Sequence, residues 1–352
     1  MTEPLNLELL DRAHGALLGL AAGDASGFPS RYHRMARAGS RRGLLWSQAA
    51  ELDGQRINKF PLPYTHAVPL SSEDFSATDD AEQAVLSAEV LLRALRGGSS
   101  EPTTAELFAA WKDIVMPQAD RLWGSVADRS AILNAQSGLE APVTGSDNPH
   151  YYDDSAVAKS LPVAIRYAGQ PGAAVRVARN LASITNDAEG ADAAAAFGAA
   201  IAVLVGGGTT SEGMARGADE IHSDSWLGRK FQLAETIYTE SGSLIDAIPR
   251  WNDEVANLEY NFGNVAAETL PLALIIARES RSFAEAIGIA NLVPKQADTM
   301  PAMVGALLGA TGGTTAIPAT WRERIETLRG YGVPLTKGMQ LRVVAERLLT
   351  HE

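Results

Sequence analysis

The chain has 352 residues with 30 basic and 42 acidic side chains, which gives a net charge of −12 and an isoelectric point of about 5.1. This balance argues against nucleic acid as the main partner, because neutralising phosphates requires clustered Lys and Arg. The absence of cysteine excludes disulfides, thiolate metal sites and cysteine nucleophiles, and it is typical of a reducing compartment.

The first predicted helix covers residues 7–25 and carries glycines at four-residue intervals. Gly15, Gly19 and Gly23 lie within it, and Gly27 follows. This spacing places the glycines near one face, where a second helix can approach closely. Each glycine costs up to about 1 kcal/mol relative to alanine in a helix interior, so we expect close packing along this face to offset that cost.

Helical periodicity fails between residues 28 and 75, where Pro61, Pro63 and Pro69 interrupt the sequence. A long irregular segment inside a compact domain is more often functional than idle. We therefore predict that residues 28–75 form an irregular insertion near the functional site. Its basic run, Arg31 to Arg42, is typical of a solvated loop, with a small anionic ligand as the alternative.

After this segment the sequence is helical in its periodicity and shows almost no strand-like alternation. Without repeats or shifts in composition, residues 1–352 are predicted to form a single all-α domain. The most apolar run, residues 193–208, is too short to span a bilayer and predicts a packed core helix. No basic and apolar leader precedes the first helix, so we expect a cytoplasmic protein without nucleic-acid or membrane partners. The later helices are predicted at 80–97, 103–115, 119–138, 155–168, 172–184, 190–206, 211–219, 227–240, 243–250, 264–278, 282–291, 299–311 and 336–349.

Two adjacent acids stand at the start of the helix that follows the irregular segment. Thr78 precedes Asp79 and Asp80, and apolar residues then recur at helical spacing. One interpretation is structural, with Thr78 as an N-cap and the acids placed at the positive end of the helix dipole. The other is that the threonine and both aspartates hold a cation.

A second helix opens in a similar way near the other end of the chain. Asp298 and Thr299 precede a helix rich in apolar residues, Gly and Ala. If the two helix starts converge, three carboxylates share one space, and each pair repels by roughly 3 kcal/mol at about 5 Å and an effective dielectric constant of about 20. A divalent cation would offset this repulsion, and oxygen ligands suit Mg²⁺, Mn²⁺ or Ca²⁺ better than zinc.

Five blocks of the sequence resemble the ADP-ribosylglycohydrolase family, in the family's order and over most of the chain. They are GALLGLAAGDASGFPS, TDDAEQAVLSAEVLL, GNVAAETLPLALIIA, SFAEAIGIANLVPKQADTMPAMVGALLGA and IPATW. The resemblance implies an all-helical fold around two Mg²⁺ or Mn²⁺ ions and hydrolysis of a glycosidic bond at an anomeric ribose carbon. The long segment 28–75 resembles the subgroup that acts on nucleosides or other small ribosides.

Residue by residue, the resemblance assigns two metal-binding motifs to this chain. Thr78, Asp79 and Asp80 match the first motif, and Asp298 and Thr299 match the end of the second. The ion would fix ribose hydroxyls and polarise the anomeric centre or a water molecule. Asp80 or Asp298 would act in catalysis by orienting that water.

The sequence departs from the family pattern at several ligand-facing positions. Gln296 replaces an aspartate of the second motif, which removes a charge and predicts that one of the two ion sites is weakened. Lys295 beside it either partly replaces the missing cation or is exposed. Arg31 stands where many members carry a glutamate, so the general acid/base is unassigned, and Glu73 or Asp74 could substitute.

Two further departures affect the predicted substrate loop, residues 151–162, and the segment before the helix at 190–206. Asp154 lies near the position of a family Asn, Lys159 near an Arg, and Asn186 at the position of a His. Glu268, by contrast, is predicted to be structural. The predicted substrate-binding residues are Asp24, Arg31, Asp154, Asn186 and Gln296.

The leading hypothesis is therefore a metal-dependent hydrolase that uses one or two Mg²⁺ or Mn²⁺ ions. Its substrate would be an ADP-ribosylated molecule, a nucleoside or another small riboside. The alternative is a catalytically impaired member that binds or senses a nucleotide sugar. Gln296 and Arg31 favour this alternative, because one removes an anionic ligand and the other places a cation where an acid is expected.

Overall fold

The computed structural model describes residues 6–34, 76–256, 264–293, 295–297 and 299–350, with only the backbone considered at 28–34. Over these ranges the chain forms sixteen α-helices and no strand apart from two isolated bridges, Asp153 to Val265 and Thr327 to Gln340. The predicted all-α fold is confirmed. The helices are α1 (Leu7–Arg34), α2 (Asp79–Leu95), α3 (Thr104–Val115), α4 (Val126–Gln136), α5 (Val143–Ser146), α6 (Ser155–Arg166), α7 (Pro171–Ala182), α8 (Ala188–Val205), α9 (Thr210–Asp219), α10 (Trp226–Ser241), α11 (Leu244–Arg250), α12 (Ala266–Glu279), α13 (Phe283–Ala290), α14 (Met300–Gly312), α15 (Ala319–Ile325) and α16 (Leu341–Thr350).

The first helix is longer than its sequence predicts. It continues to Arg34 instead of ending at residue 25, so residues 28–34 are helical and do not belong to an irregular insertion. A proline inside a helix removes one backbone hydrogen bond, and Pro29 does not end this helix. The rest of the predicted insertion, residues 35–75, lies outside the described residues.

The predicted helix at 119–138 is in fact two elements. Residues Met116–Arg121 form a 3₁₀ turn, and α4 begins anew because Ser125 and Asp128 form a capping box, in which each side chain accepts from the other's backbone N–H. The predicted helix at 336–349 begins only at Leu341. The sequence analysis missed the two short helices α5 and α15.

Helices α1 and α14 lie antiparallel with their backbones in contact along the glycine face. A Cβ atom placed on Gly19 would lie 1.9 Å from the carbonyl oxygen of Gly305, and one on Gly23 would lie 1.9 Å from that of Pro301. No side chain fits between the helices at these positions. The predicted close packing is confirmed, and the partner is the helix of the second motif.

Helix α8 forms the centre of the core and packs against α6, α7 and α9. Of the helices in the described ranges, it alone is long and apolar enough to cross a membrane by length and composition. Of the residues in this helix, 78% are buried inside the protein. This burial agrees with the predicted packed core helix.

The contact between α1 and α14 predicts a large cost for Gly19→Ala. The added methyl group meets a backbone carbonyl, and overpacking of this kind costs about 1–3 kcal/mol or more. We expect the free energy of unfolding, measured by urea denaturation, to fall by at least that amount. Gly288→Ala in α13 is the matched control, because a Cβ there meets nothing within 4 Å. It should stabilise by up to about 1 kcal/mol, and equal losses in the two variants would contradict the packing argument.

Candidate functional site

Asp24 connects the first helix to the start of α2. Its Oδ2 atom accepts from the backbone N–H of Thr78 at 2.7 Å and of Ala81 at 3.2 Å, and its Oδ1 atom accepts from the Thr78 hydroxyl. Thr78 itself makes no side-chain capping bond. Thr78 occupies the N-cap position, as the structural interpretation predicts. The capping side chain is a carboxylate from α1, because Asp24 accepts from the N–H of Ala81.

The carboxylates at this helix start concentrate negative charge. Asp24 is 2% exposed. Burial and the charge of Asp79 raise the pKa of Asp24 to about 8, although the hydrogen bonds from Thr78 and Ala81 act in the opposite sense. A buried carboxylate beside a second carboxylate requires either a proton or a nearby cation.

The starts of α2 and α14 lie at the same end of α1, which is the arrangement that the sequence analysis left as a condition. Gly23 contacts Pro301 in the first turn of α14, and the next residue, Asp24, bonds Thr78. Thr299 directly precedes α14, is 3% exposed and lies with its Oγ1 atom 3.5 Å from Asn264 Nδ2.

The oxygen donors available near this convergence suit a hard divalent cation. Asp79 and Asp80 are partly buried at the first two positions of α2, and Thr78 and Thr299 add hydroxyl oxygens. In the described part of the chain, no group of three or more His, Asp or Glu side chains is arranged to hold a metal ion. Asp298, the third predicted carboxylate, lies outside the described residues. The assignment of all metal and catalytic residues stays a prediction.

Gln296, at a position of the second motif, belongs to a buried network of polar side chains. Its Nε2 atom donates to Glu268 Oε2 at 2.6 Å, and its Oε1 atom lies 2.8 Å from the hydroxyl oxygen of Thr269. The same hydroxyl oxygen lies 2.6 Å from Asp154 Oδ2, so Thr269 links Gln296 to Asp154. Both ends of the Gln296 amide are thus engaged inside the protein. The predicted substrate contacts of Gln296 and Asp154 stay predictions.

Lys295 and Glu268 form a buried ion pair, with 2.8 Å between Lys295 Nζ and Glu268 Oε2. Lys295 also donates to the carbonyl of Ala256. Lys295 is 8% exposed, so of the two alternatives left open for it, the exposed lysine is wrong. Burial raises the pKa of Glu268 to about 7, while Lys295 and Gln296 act to lower it. An aspartate at position 296 would repel Glu268, whereas the amide of Gln296 donates to it.

Asn186 bonds the backbone at the start of the predicted substrate loop. It is fully buried, and its Nδ2 atom donates to the carbonyls of Asp153 at 3.0 Å and Tyr151 at 3.2 Å. Its Oδ1 atom accepts from the Thr185 hydroxyl at 2.6 Å. The amide thus fixes the loop that carries Asp154, and direct contact of Asn186 with a ligand stays a prediction.

Three predicted residues cannot be placed by their side chains. Arg31 lies on the backbone of α1, but its side chain is outside the described set. Glu73 and Asp74, the candidates for the general acid/base, also lie outside the described residues.

Glu82 lies one turn after Asp79 on the same face of α2 and is not among the site residues predicted from the sequence. Glu82 is fully buried and accepts from the backbone N–H groups of Tyr331, Gly332 and Val333 at 2.6, 2.7 and 2.8 Å. Burial raises its pKa, and these hydrogen bonds partly oppose the shift. Its spacing of three residues from Asp79 places both acids on one side of the helix. This spacing is the feature of the sequence from which Glu82 could have been found.

Comparison with known proteins agrees with the architecture. The sequence pattern of the family described as ADP-ribosylglycohydrolase matches residues 5–352. A solved structure described as an "ADP-ribosylglycohydrolase-related protein complex" has a TM-score of 0.57 and 22% identity, and covers 97% of this chain and 99% of its own. At this identity the likeness supports the fold. No curated protein matches the chain.

The Glu268–Lys295 pair predicts a specific pH dependence of stability. The pKa of Glu268 is raised to about 7 from an ordinary value of 4.5, so its contribution is fully present below about pH 4.5 and is lost as the pH rises through about 7. The change amounts to roughly 3 kcal/mol at most. Glu268→Gln should flatten the profile of unfolding free energy between pH 5 and 8, measured by urea denaturation relative to the wild type. Parallel profiles would contradict a raised pKa for this residue.

Proposed function

Because the chain belongs to the ADP-ribosylglycohydrolase family, we propose that it is a divalent-metal-dependent hydrolase that cleaves the glycosidic bond of a riboside. The family supports glycohydrolase activity on ADP-ribosyl-type substrates. One observation carries the proposal. Asp24, Thr78 and Asp79 are hydrogen-bonded to one another at the end of α1 where α14 begins. The substrate would be an ADP-ribosylated molecule, a nucleoside or another small riboside.

In this proposal the ion is held by oxygen atoms from both motifs. Thr78, Asp79 and Asp80 would bind it from α2, and Asp298 and Thr299 from the start of α14. When bound, Mg²⁺ or Mn²⁺ supplies a positive charge that fixes ribose hydroxyls and polarises the reacting centre or an attacking water.

Asp24 would act as a positioning residue for the first motif. It bonds both the backbone N–H and the hydroxyl of Thr78, which fixes the rotamer and the height of that side chain. The remaining lone pairs of the Thr78 hydroxyl stay available to a ligand. The Thr78 Oγ1 atom lies 3.2 Å from Asp79 Oδ1, so these two oxygen atoms are close enough to bind the same ion.

Hydrolysis also requires a group that takes a proton from water. Asp80, partly buried in the first turn of α2, or Asp298 would orient this water, and Glu73 or Asp74 would accept its proton. The water oxygen would then form the new bond to the anomeric carbon, the electron pair of the glycosidic bond would go to the leaving group, and the leaving group would take up the proton from that acid or from solvent.

The second candidate function is a binding or sensor protein with impaired catalysis. Gln296 favours it, because an amide engaged by Glu268 and Thr269 replaces an expected anionic ligand. Tight binding of a nucleotide sugar by metal-loaded protein without product release would establish this function. Product release from ribosides would exclude it.

Metal binding tests the first motif directly. We expect Asp79→Asn to weaken Mn²⁺ binding by at least about tenfold, since even outer partners of metal ligands contribute about 10–100-fold. Asp24→Asn should fall within that outer-partner range because it releases Thr78. Calorimetric titration of metal-stripped protein measures both effects, with Asp219→Asn on the distant helix α9 as the matched control.

The same variants test catalysis. Asp79→Asn should abolish release of free base or ADP-ribose from a panel of ribosides, while Asp219→Asn should match the wild type. Unchanged Mn²⁺ affinity in Asp79→Asn would contradict the metal site. Activity that persists in Asp79→Asn would contradict its role in the reaction.

A further inference from the structure

An exposed pair of aromatic side chains borders the start of α2. Trp123 is 37% exposed and Tyr331 is 49% exposed. Their ring centroids are 5.2 Å apart, with an angle of 55° between the planes. Single exposed apolar residues are common on protein surfaces, but two large rings in contact form a continuous apolar surface next to a polar cluster.

The backbone of this pair is in contact with the first motif. Trp123 N donates to Gly332 O at 2.8 Å, and Gln83 Nε2 in α2 donates to Trp123 O at 3.2 Å. A Cβ placed on Gly332 would lie 3.5 Å from the Cβ of Asp79, which is van der Waals contact. The residue next to Tyr331 therefore touches Asp79, and the segment that carries both rings packs against the start of α2.

The backbone that carries one ring of the pair is also fixed. Glu82 accepts hydrogen bonds from three consecutive backbone N–H groups, those of Tyr331, Gly332 and Val333. The helix that carries Asp79 thus fixes the segment that carries Tyr331. A surface fixed before a ligand arrives loses little conformational freedom on binding.

We infer that Trp123 and Tyr331 stack on a planar heteroaromatic ring attached to the ribose held beside Asp79, so that the substrate is a nucleoside-type riboside. This inference rests on the proposed function, because it requires a ribose at the first motif. Aromatic side chains stack on every base through its π-face. In an ADP-ribosyl group the adenine is separated from the reacting ribose by a pyrophosphate and a second ribose, whereas the base of a nucleoside is attached directly to that ribose.

Binding of adenosine to the full-length, Mg²⁺-loaded protein tests this inference by calorimetry. Trp123→Ala and Tyr331→Ala should each weaken adenosine binding by about tenfold, the effect typical of a lost stacking partner. Trp123→Phe and Tyr331→Phe keep a ring and should bind within about threefold of the wild type. The matched control is Leu335→Ala, 42% exposed and close in sequence to Tyr331, which should leave binding unchanged. Binding of D-ribose, which has no base, should not change in any variant.

The outcomes separate this inference from the proposed function. Equal adenosine affinity in the wild type and both alanine variants, or no adenosine binding at millimolar concentration, would overturn the stacking surface even if another riboside is hydrolysed. Binding that depends on both rings without any hydrolysis would support the surface and contradict the enzyme. If the alanine variants lose affinity for ADP-ribose but not for adenosine, the rings hold a distal base, and the nucleoside-type assignment is wrong. Where turnover is measurable, the alanine variants should raise KM with kcat unchanged.

Discussion

The contact between the backbones of α1 and α14 determines where the two motifs lie. Gly19 meets Gly305 and Gly23 meets Pro301, and each contact leaves no room for a Cβ atom. A shift of either helix by one residue would place a side chain against a carbonyl oxygen, so the register of the pair is fixed. Asp24, one residue beyond this contact, is thereby held level with the start of α14. Its bonds to Thr78 then place α2 at the same point.

The site handles its buried carboxylates in two different ways. The negative charge of Glu268 is compensated by the ammonium group of Lys295 at 2.8 Å and by the amide of Gln296. At Asp24, burial and the nearby Asp79 act in the same direction, and both raise the pKa. Desolvation of a carboxylate is costly unless a partner compensates it. A positive charge from Lys295 therefore compensates Glu268, whereas Asp24 is compensated by the hydrogen bonds from Thr78 and Ala81.

The fold class and the packing of α1 follow from the sequence because both depend on local periodicity. Helical spacing of apolar residues predicts helices, and glycines at four-residue intervals predict a close partner. The cap of α2 could not be predicted in this way, since Asp24 and Thr78 are 54 residues apart in the sequence. The sequence left two alternatives open for Lys295, because an isolated lysine is usually exposed and its partner Glu268 lies on another helix. The continuation of α1 beyond residue 25 was missed because Gly27 and Pro29 are signals of a helix end.

Two further acids, Glu82 and Glu268, fix the backbone next to the two motifs. Glu82 holds residues 331–333 on one side, through three backbone N–H groups. Glu268 holds the segment with Lys295 and Gln296 on the other side. Neither set of contacts requires a bound ion, so the protein itself fixes both walls of the site. Asp24 on α1 caps the helix of the first motif through the N–H groups of Thr78 and Ala81. Buried acids outside the two predicted metal-binding motifs therefore organise the backbone around both of them.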